Sequence, residues 1–371
     1  MFKKALLILA AFALITASPA LAAKKYELKI QTAVPSSSMY FETMERLGER
    51  IEKLSNGQIK VEVFASGAIV KAFEILDAVS DGIVNGGQAW THYWSGKHPA
   101  GLLFAAPTAG LGVGLDQTGL LSWAWEGEGG DLLNQYYQEE LHYNIKAWLT
   151  MPMGPEPFGW FPHSFDSLEE LKQMKFRSPP GIPSESFKAI GMPVVSMPGS
   201  EIVPSAQRGV IDAAEWISPG DDKLLGLSDV WKSYYLQGLH QALSIGDVYI
   251  NNDWYNSLPD HLKFVIEVSM KAMVADQVSM NVSINSEALR DMVVNEGVKL
   301  HDTPEEYFQA YMKVVPQIMN KYSDKSPFFK EVFESLNKWA DLTVPYQVKV
   351  NGLYYKMGKT AMESGTMQDY K

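Results

Sequence analysis

One order of elements occurs twice in this chain, and it restricts the fold more than any other feature. Tyr26 to Ala33 alternates as a strand, with Leu28 and Ile30 on one face and Lys29 and Gln31 on the other. Pro35 and Ser36 to Ser38 make a turn and a helix cap. Met44, Leu47, Ile51 and Leu54 then mark one face of a helix that Asn56-Gly57 stops. Ile59, Val61 and Val63 form a second strand, Phe73 to Ser80 a second helix, and a third strand runs from Gly82 through Val84. From about residue 151 the order returns. Met174–Arg177, Pro193–Met197 and Val210–Trp216 are short apolar strands, and Ser184–Ile190 and Ser200–Arg208 are the helices between them. Strands alternating with helices imply an α/β class with largely parallel sheets.

The remainder is helical. Asp260 to Glu296, Pro304 to Tyr322 and Phe328 to Ala340 predict three helices, and Val344 to Lys371 is only weakly periodic. The expected organisation is a first α/β domain over 23–150, a second over 151–240, and a return to the first domain with C-terminal helices over 241–371. Two such domains around a cleft suit a protein that closes on a ligand, an argument by fold analogy.

Residues 1–22 are expected to be a secretory signal peptide. Lys3 and Lys4 precede an apolar run from Ala5 to about Ala17, and Ala20-Leu21-Ala22 supplies small residues for cleavage. That run falls short of the roughly 20 residues a membrane span needs. The chain contains no cysteine. Disulfides, thiolate metal sites and a cysteine-linked lipid anchor are therefore excluded, and a large apolar core must supply the stability. Without Lys3 and Lys4, 30 basic residues face 43 acidic ones, a net charge of −13. Nucleic-acid binding needs a basic footprint that this balance does not offer. An anionic ligand would need specific basic residues or a metal.

In open α/β sheets ligands lie beyond the carboxyl ends of the strands. Arg177 closes one predicted strand, and Glu215 with Trp216 closes another. Arg177 can grip a carboxylate through two parallel hydrogen bonds, or pair with a neighbouring acid. Glu215 follows Ala213-Ala214 and, if buried, needs a partner, either Arg177 or a cation. Glu156 stands between Pro155 and Pro157, ahead of Phe158-Gly159-Trp160-Phe161. His240 is isolated and reads as a packing residue. No HExxH, Gly-x-Ser-x-Gly, P-loop or dinucleotide fingerprint is present. A secreted glycoside hydrolase using Glu156 and Glu215 stays open as an alternative, and so does a receptor for an ATP-driven importer.

Several segments resemble one family. Ser55 to Phe64, Tyr93-Trp94-Ser95-Gly96-Lys97, Phe176-Arg177, Gly209 to Trp216 and Pro219-Gly220-Asp221-Asp222 are similar to the extracytoplasmic solute receptors of tripartite ATP-independent periplasmic (TRAP) transporters. The closest likeness is to the subgroup that binds 2-oxo and 2-hydroxy monocarboxylates through a metal. The resemblance implies a periplasmic, non-enzymatic receptor that delivers a small organic acid, pyruvate- or lactate-like, to membrane subunits. It places Arg177 on the ligand carboxylate and Tyr93 in the cleft. It makes Glu215 a metal ligand through its carboxylate and Trp216 one through its backbone oxygen. Where the subgroup has a glutamine this chain has Glu156, and where it has a glutamate this chain has Gln241. This exchange keeps hard oxygen ligands, suited to Ca²⁺ or Na⁺. Some members pair through an extended C-terminal helix. Asn337 onward is expected either to form such a homodimer or to pack on the first domain.

Overall fold

A computed structural model describes residues 24–197 and 199–367, so the expected signal peptide lies outside the described residues. Strands β1 (Tyr26–Thr32), β2 (Ile59–Phe64), β3 (Gly86–Ala89), β4 (Ile145–Gly154) and β10 (Ser244–Asn251) form one sheet in the order β2-β1-β3-β10-β4. The other sheet runs β11-β9-β5-β8-β6-β7. It is built from β5 (Gly159–Phe161), β6 (Phe176–Arg177), β7 (Val194–Val195), β8 (Ala213–Ala214), β9 (Ser233–Tyr235) and β11 (Lys299–His301). In both sheets the first strand of the repeated unit lies between the second and the third, with parallel pairing on each side. The two units thus share one topology. Antiparallel pairings with strands from elsewhere in the chain extend each sheet, and β11 joins the second one parallel to β9.

The helices that position the site are α1 (Met39–Leu54), α2 (Ile75–Ser80), α3 (Ile182–Ala189), α4 (Ile202–Gln207), α5 (Pro219–Leu225), α6 (Asp260–Asn295), α7 (Glu305–Ser323) and α8 (Pro327–Glu363). Ser38 caps α1 by accepting a hydrogen bond from the Tyr40 amide. Met44, Leu47 and Ile51 are buried on α1, whereas Leu54, in its last turn, is half exposed. The 36-residue α6 packs on α1 and β4 in the first lobe and on α5 in the second, so it braces both. Among the described residues, no helix is long and apolar enough to cross a membrane.

Two local expectations are corrected. The third strand begins at Gly86, not at Gly82. The Ile83 amide bonds back to the Ala78 carbonyl at 2.9 Å, with Gly82 at φ 75°, so these residues end α2 instead of pairing. Residues 210–212 likewise do not extend β8. The Val210 amide bonds to the Ser205 carbonyl at 2.9 Å and so ends α4, and the Asp212 carboxylate accepts from the Lys175 amide at 2.7 Å.

Candidate metal and carboxylate site

Arg177 is the last residue of β6, and its strand partner on β8 is Ala214. Glu215 therefore leaves the sheet beside the guanidinium. Gly159 makes this corner possible: its φ is 136°, and a Cβ there would collide with the Ala214 oxygen. Glu156 comes from the loop between β4 and β5. The segment after β9 crosses that loop in close contact, because a Cβ on Gly238 would lie 2.5 Å from the Glu156 oxygen. The Glu156 amide donates to the Gln241 carbonyl at 3.1 Å. This crossing delivers His240 to the two carboxylates.

Glu156, Glu215 and His240 are all buried, and one ligand atom of each lies within 4.8 Å of the others. His240 Nε2 is 3.5 Å from Glu156 Oε2 and 3.6 Å from Glu215 Oε2. Arg177 Nη1 donates to Glu215 Oε1. Its Nε and Nη2 donate to the Met197 carbonyl at 3.1 and 2.9 Å. The guanidinium also lies 5.2 Å from the centre of the Trp216 ring. That ring rests on the backbone at Gly199, where a Cβ would collide with it.

Burial pushes the Glu156 carboxyl up, to about 7, against the pull of His240 and Arg177. Burial acts on Glu215 in the same direction, but Arg177 and His240 outweigh it and hold that carboxyl below its ordinary range. Burial disfavours a charged His240, yet attraction to Glu156 and Glu215 prevails and raises it to about 9. Two buried cations thus face two buried carboxylates.

Tyr93 stands on the first-lobe wall, in a 3-10 turn over Thr91–Trp94, with its ring 5.6 Å from that of Trp90. Burial and the Glu156 charge push its phenol up, to about 12, and Arg177 pulls it back. The structure therefore brings Glu156, Arg177, Glu215, Trp216 and Tyr93 to one seam between the lobes. Gln241 is buried and adjoins Glu156 through its backbone, while its side-chain amide makes none of the described hydrogen bonds. The sequence presents His240 as a packing residue. Its ring does pack 5.5 Å from that of Phe187, but it also bridges the carboxylates. His92 and Tyr40 are two further residues that no sequence motif singles out. Burial lowers His92 to about 4 while the Glu215 charge pulls the other way, and the Tyr40 phenol lies in the field of Asp221 and Glu156.

Comparison with known proteins agrees with this architecture. The chain is 29% identical over 328 residues, 88% of its length and 87% of the relative's, to a monocarboxylate 2-oxoacid-binding periplasmic protein of Nostoc sp.. A TRAP transporter solute-binding protein of Bordetella bronchiseptica, solved as a dimer with calcium and picolinate, superposes with a TM-score of 0.82. It is 24% identical, and the match covers 92% of this chain and 99% of that one. A TRAP periplasmic solute-binding protein of Pseudoalteromonas atlantica with bound sodium and pyruvate gives a TM-score of 0.80 at 21% identity, covering 90% of this chain and 99% of that one. These two likenesses establish the fold. Residues 30–325 match the model for bacterial extracellular solute-binding proteins of family 7, DctP, and the chain belongs to that family.

Proposed function

We propose that the chain is a periplasmic receptor of a TRAP-type transporter that captures a small 2-oxo or 2-hydroxy monocarboxylate. One observation carries this reading. Arg177, Glu156 and Glu215 converge, buried, at the strand ends that face the seam between the lobes. The Nostoc relative is named for 2-oxoacid binding, and the two structural neighbours hold a small carboxylate with calcium or sodium. The residues fit a hard cation. Two carboxylates supply hard oxygen donors, and His240 Nε2, at 3.5 and 3.6 Å from them, stands too far to saturate those oxygens by hydrogen bonding. Glu156, Glu215, the Trp216 backbone oxygen and Gln241 are the proposed ligands of Ca²⁺ or Na⁺. When bound, the ion would offer a positive centre for the acid's carboxylate and 2-oxygen to chelate. In this structure Glu215 occupies Arg177, so an incoming carboxylate competes with Glu215 for the guanidinium. Tyr93 closes the pocket from the first lobe. No bond of the ligand is broken in this scheme. Family membership weighs against the glycosidase alternative.

The partners proposed are the membrane subunits of the transporter and a second copy of the chain. Beyond Ala340, α8 exposes Leu342, Tyr346, Val348, Leu353, Tyr354 and Tyr355, a surface that suits self-association.

Titration calorimetry with pyruvate and lactate tests the function, with calcium, with sodium and after chelation. Binding should require the cation, and Arg177→Ala should weaken it by about 100-fold, the scale of losing a charged hydrogen-bond pair. Unchanged affinity after complete metal removal would eliminate the cation. Failure to bind any small carboxylate would eliminate the function.

A further inference from the structure

His240 is the one member of the buried cluster that the proposed ligand set leaves out. Its Nε2 lies 3.5 Å from Glu156 Oε2 and 3.6 Å from Glu215 Oε2, at the long limit of hydrogen bonding or past it. The ring is fully buried, and both glutamates nearly so. Among the described residues these three are the one group of His, Cys, Asp or Glu side chains that offers its ligand atoms so close together, all within 4.8 Å of one another. Three atoms with no edge longer than 4.8 Å have a common point within about 2.8 Å of each, the geometry of an equilateral triangle of that edge. Nitrogen and oxygen ligands of divalent ions stand at roughly 2.0 to 2.6 Å. Small side-chain rotations close the remaining fraction of an ångström.

The imidazole is also held in place. The Leu239 carbonyl accepts from the Ala109 amide at 2.8 Å, and the Leu239 amide donates to the Tyr307 hydroxyl at 3.4 Å. The Gln241 carbonyl accepts from the Glu156 amide at 3.1 Å, so both neighbours of His240 are tied down through their backbone. Phe187 packs against the ring, with centroids 5.5 Å apart. Packing alone accounts for the face of the ring, not for an Nε2 directed between two carboxylates. Without an ion, those carboxylates draw a proton to the ring. An ion between them supplies the positive charge instead and leaves Nε2 free to bond it. A nitrogen donor also changes which ion is preferred. Ca²⁺ and Na⁺ are served by oxygen ligands, whereas first-row transition ions gain from an imidazole.

We infer that His240 Nε2 is a metal ligand beside Glu156 and Glu215, and that the site takes a first-row divalent transition ion in preference to Ca²⁺ or Na⁺. The inference rests on the cation-assisted function proposed above and names the class of its ion.

Mn²⁺ is the probe. Calorimetry on the full mature chain, stripped of metal by chelator and supplied with pyruvate, should find Mn²⁺ bound about ten-fold or more tightly than Ca²⁺. His240→Gln keeps an oxygen and removes the imidazole, and should bring the two ions to within about two-fold. A thermal melt checks that the variant folds. Pulsed electron paramagnetic resonance of the Mn²⁺ complex gives a reading that needs no variant. Growing the chain with histidine labelled in heavy nitrogen should change the nitrogen coupling to the bound ion. Mn²⁺ bound no more tightly than Ca²⁺, or bound without coupling to a histidine nitrogen, would overturn the inference and make His240 a charge bridge between the glutamates. Pyruvate binding with Ca²⁺ would in that case leave the proposed function intact. Histidine coupling in a chain that binds no small carboxylate would uphold the inference and remove the proposed function. If neither ion binds, with pyruvate or without it, the cation and the inference fall together.

Discussion

Asp247 lies on β10, between β3 and β4 in the first sheet, and is fully buried. Its Oδ2 accepts from the Tyr137 hydroxyl at 2.6 Å, and Trp94 Nε1 donates to that hydroxyl at 3.2 Å. Its Oδ1 has no partner among the described residues. Burial pushes this carboxyl up to about 7 from an ordinary value near 3.8. Between those values the unfolded chain has released the proton and the folded chain keeps it, so raising the pH favours unfolding. The contribution of Asp247 to stability should therefore fall from about pH 4 to about pH 7 and then level off, by about 1.4 kcal/mol per pH unit across that window. Asp247→Asn keeps an acceptor for Tyr137 and removes the titration. Urea denaturation should find the variant more stable than wild type, by a larger margin at pH 8 than at pH 5. At the same scale, Arg177 and Glu215 are legible in the sequence because an apolar strand ending in a charge is unusual. His240 and Tyr40 are not. Each becomes distinctive only through atoms contributed by distant segments.

At the scale of elements, the repeated β-α-β order is legible because each strand and helix carries its own periodicity. Strand lengths are less so. Residues Val210–Asp212 have the apolar and alternating look of β8, but Val210 ends α4, and at Asp212 the backbone amide donates to the Lys175 carbonyl at 2.9 Å while the side chain, not a strand carbonyl, accepts from the Lys175 amide. The last helix shows the reverse. Expected to stop near Ala340, α8 continues to Glu363. Its N-terminal half is fixed by burial of Phe328, Phe329, Val332 and Leu336, and by hydrogen bonds between Trp123 and Ser335 and between Trp339 and Ser122. Beyond Ala340 it lays Val344 and Gln347 against the segment near Gly114 and Gly119, then exposes its apolar residues. Deleting residues 341–371 should thus cost the folded body less than about 1 kcal/mol, the range of surface changes, and abolish self-association. Chemical denaturation and light scattering check the two parts, and loss of the cooperative transition would show that the distal helix supports the core.

For the whole molecule the telling feature is the route of the chain between sheets. It leaves the first sheet after β4, returns at β10 and reaches the second again at β11. These crossings place Glu156 and His240 on connecting segments, at the proposed ligand site. A ligand held by both lobes stabilises only the closed, folded form, so stability should rise with ligand concentration. Acid and calcium together at about 100 times the dissociation constant should add about 2.7 kcal/mol, read as an upward shift in the thermal midpoint. Chelator should cancel the shift, and a shift of equal size with acid alone would show that the cation is not part of the complex.

The sequence by itself determined the α/β class, the repeated unit and the strand ends bearing Arg177 and Glu215. These follow from local periodicity and from residue chemistry that neighbouring positions reveal. Only the tertiary structure decided that Glu156 and His240 join them and that Glu215 occupies Arg177. The physical reason is that burial and pairing of a charge depend on atoms far away in the chain. No window of sequence contains both the carboxylate of Glu156 and the imidazole, 3.5 Å away, that holds it.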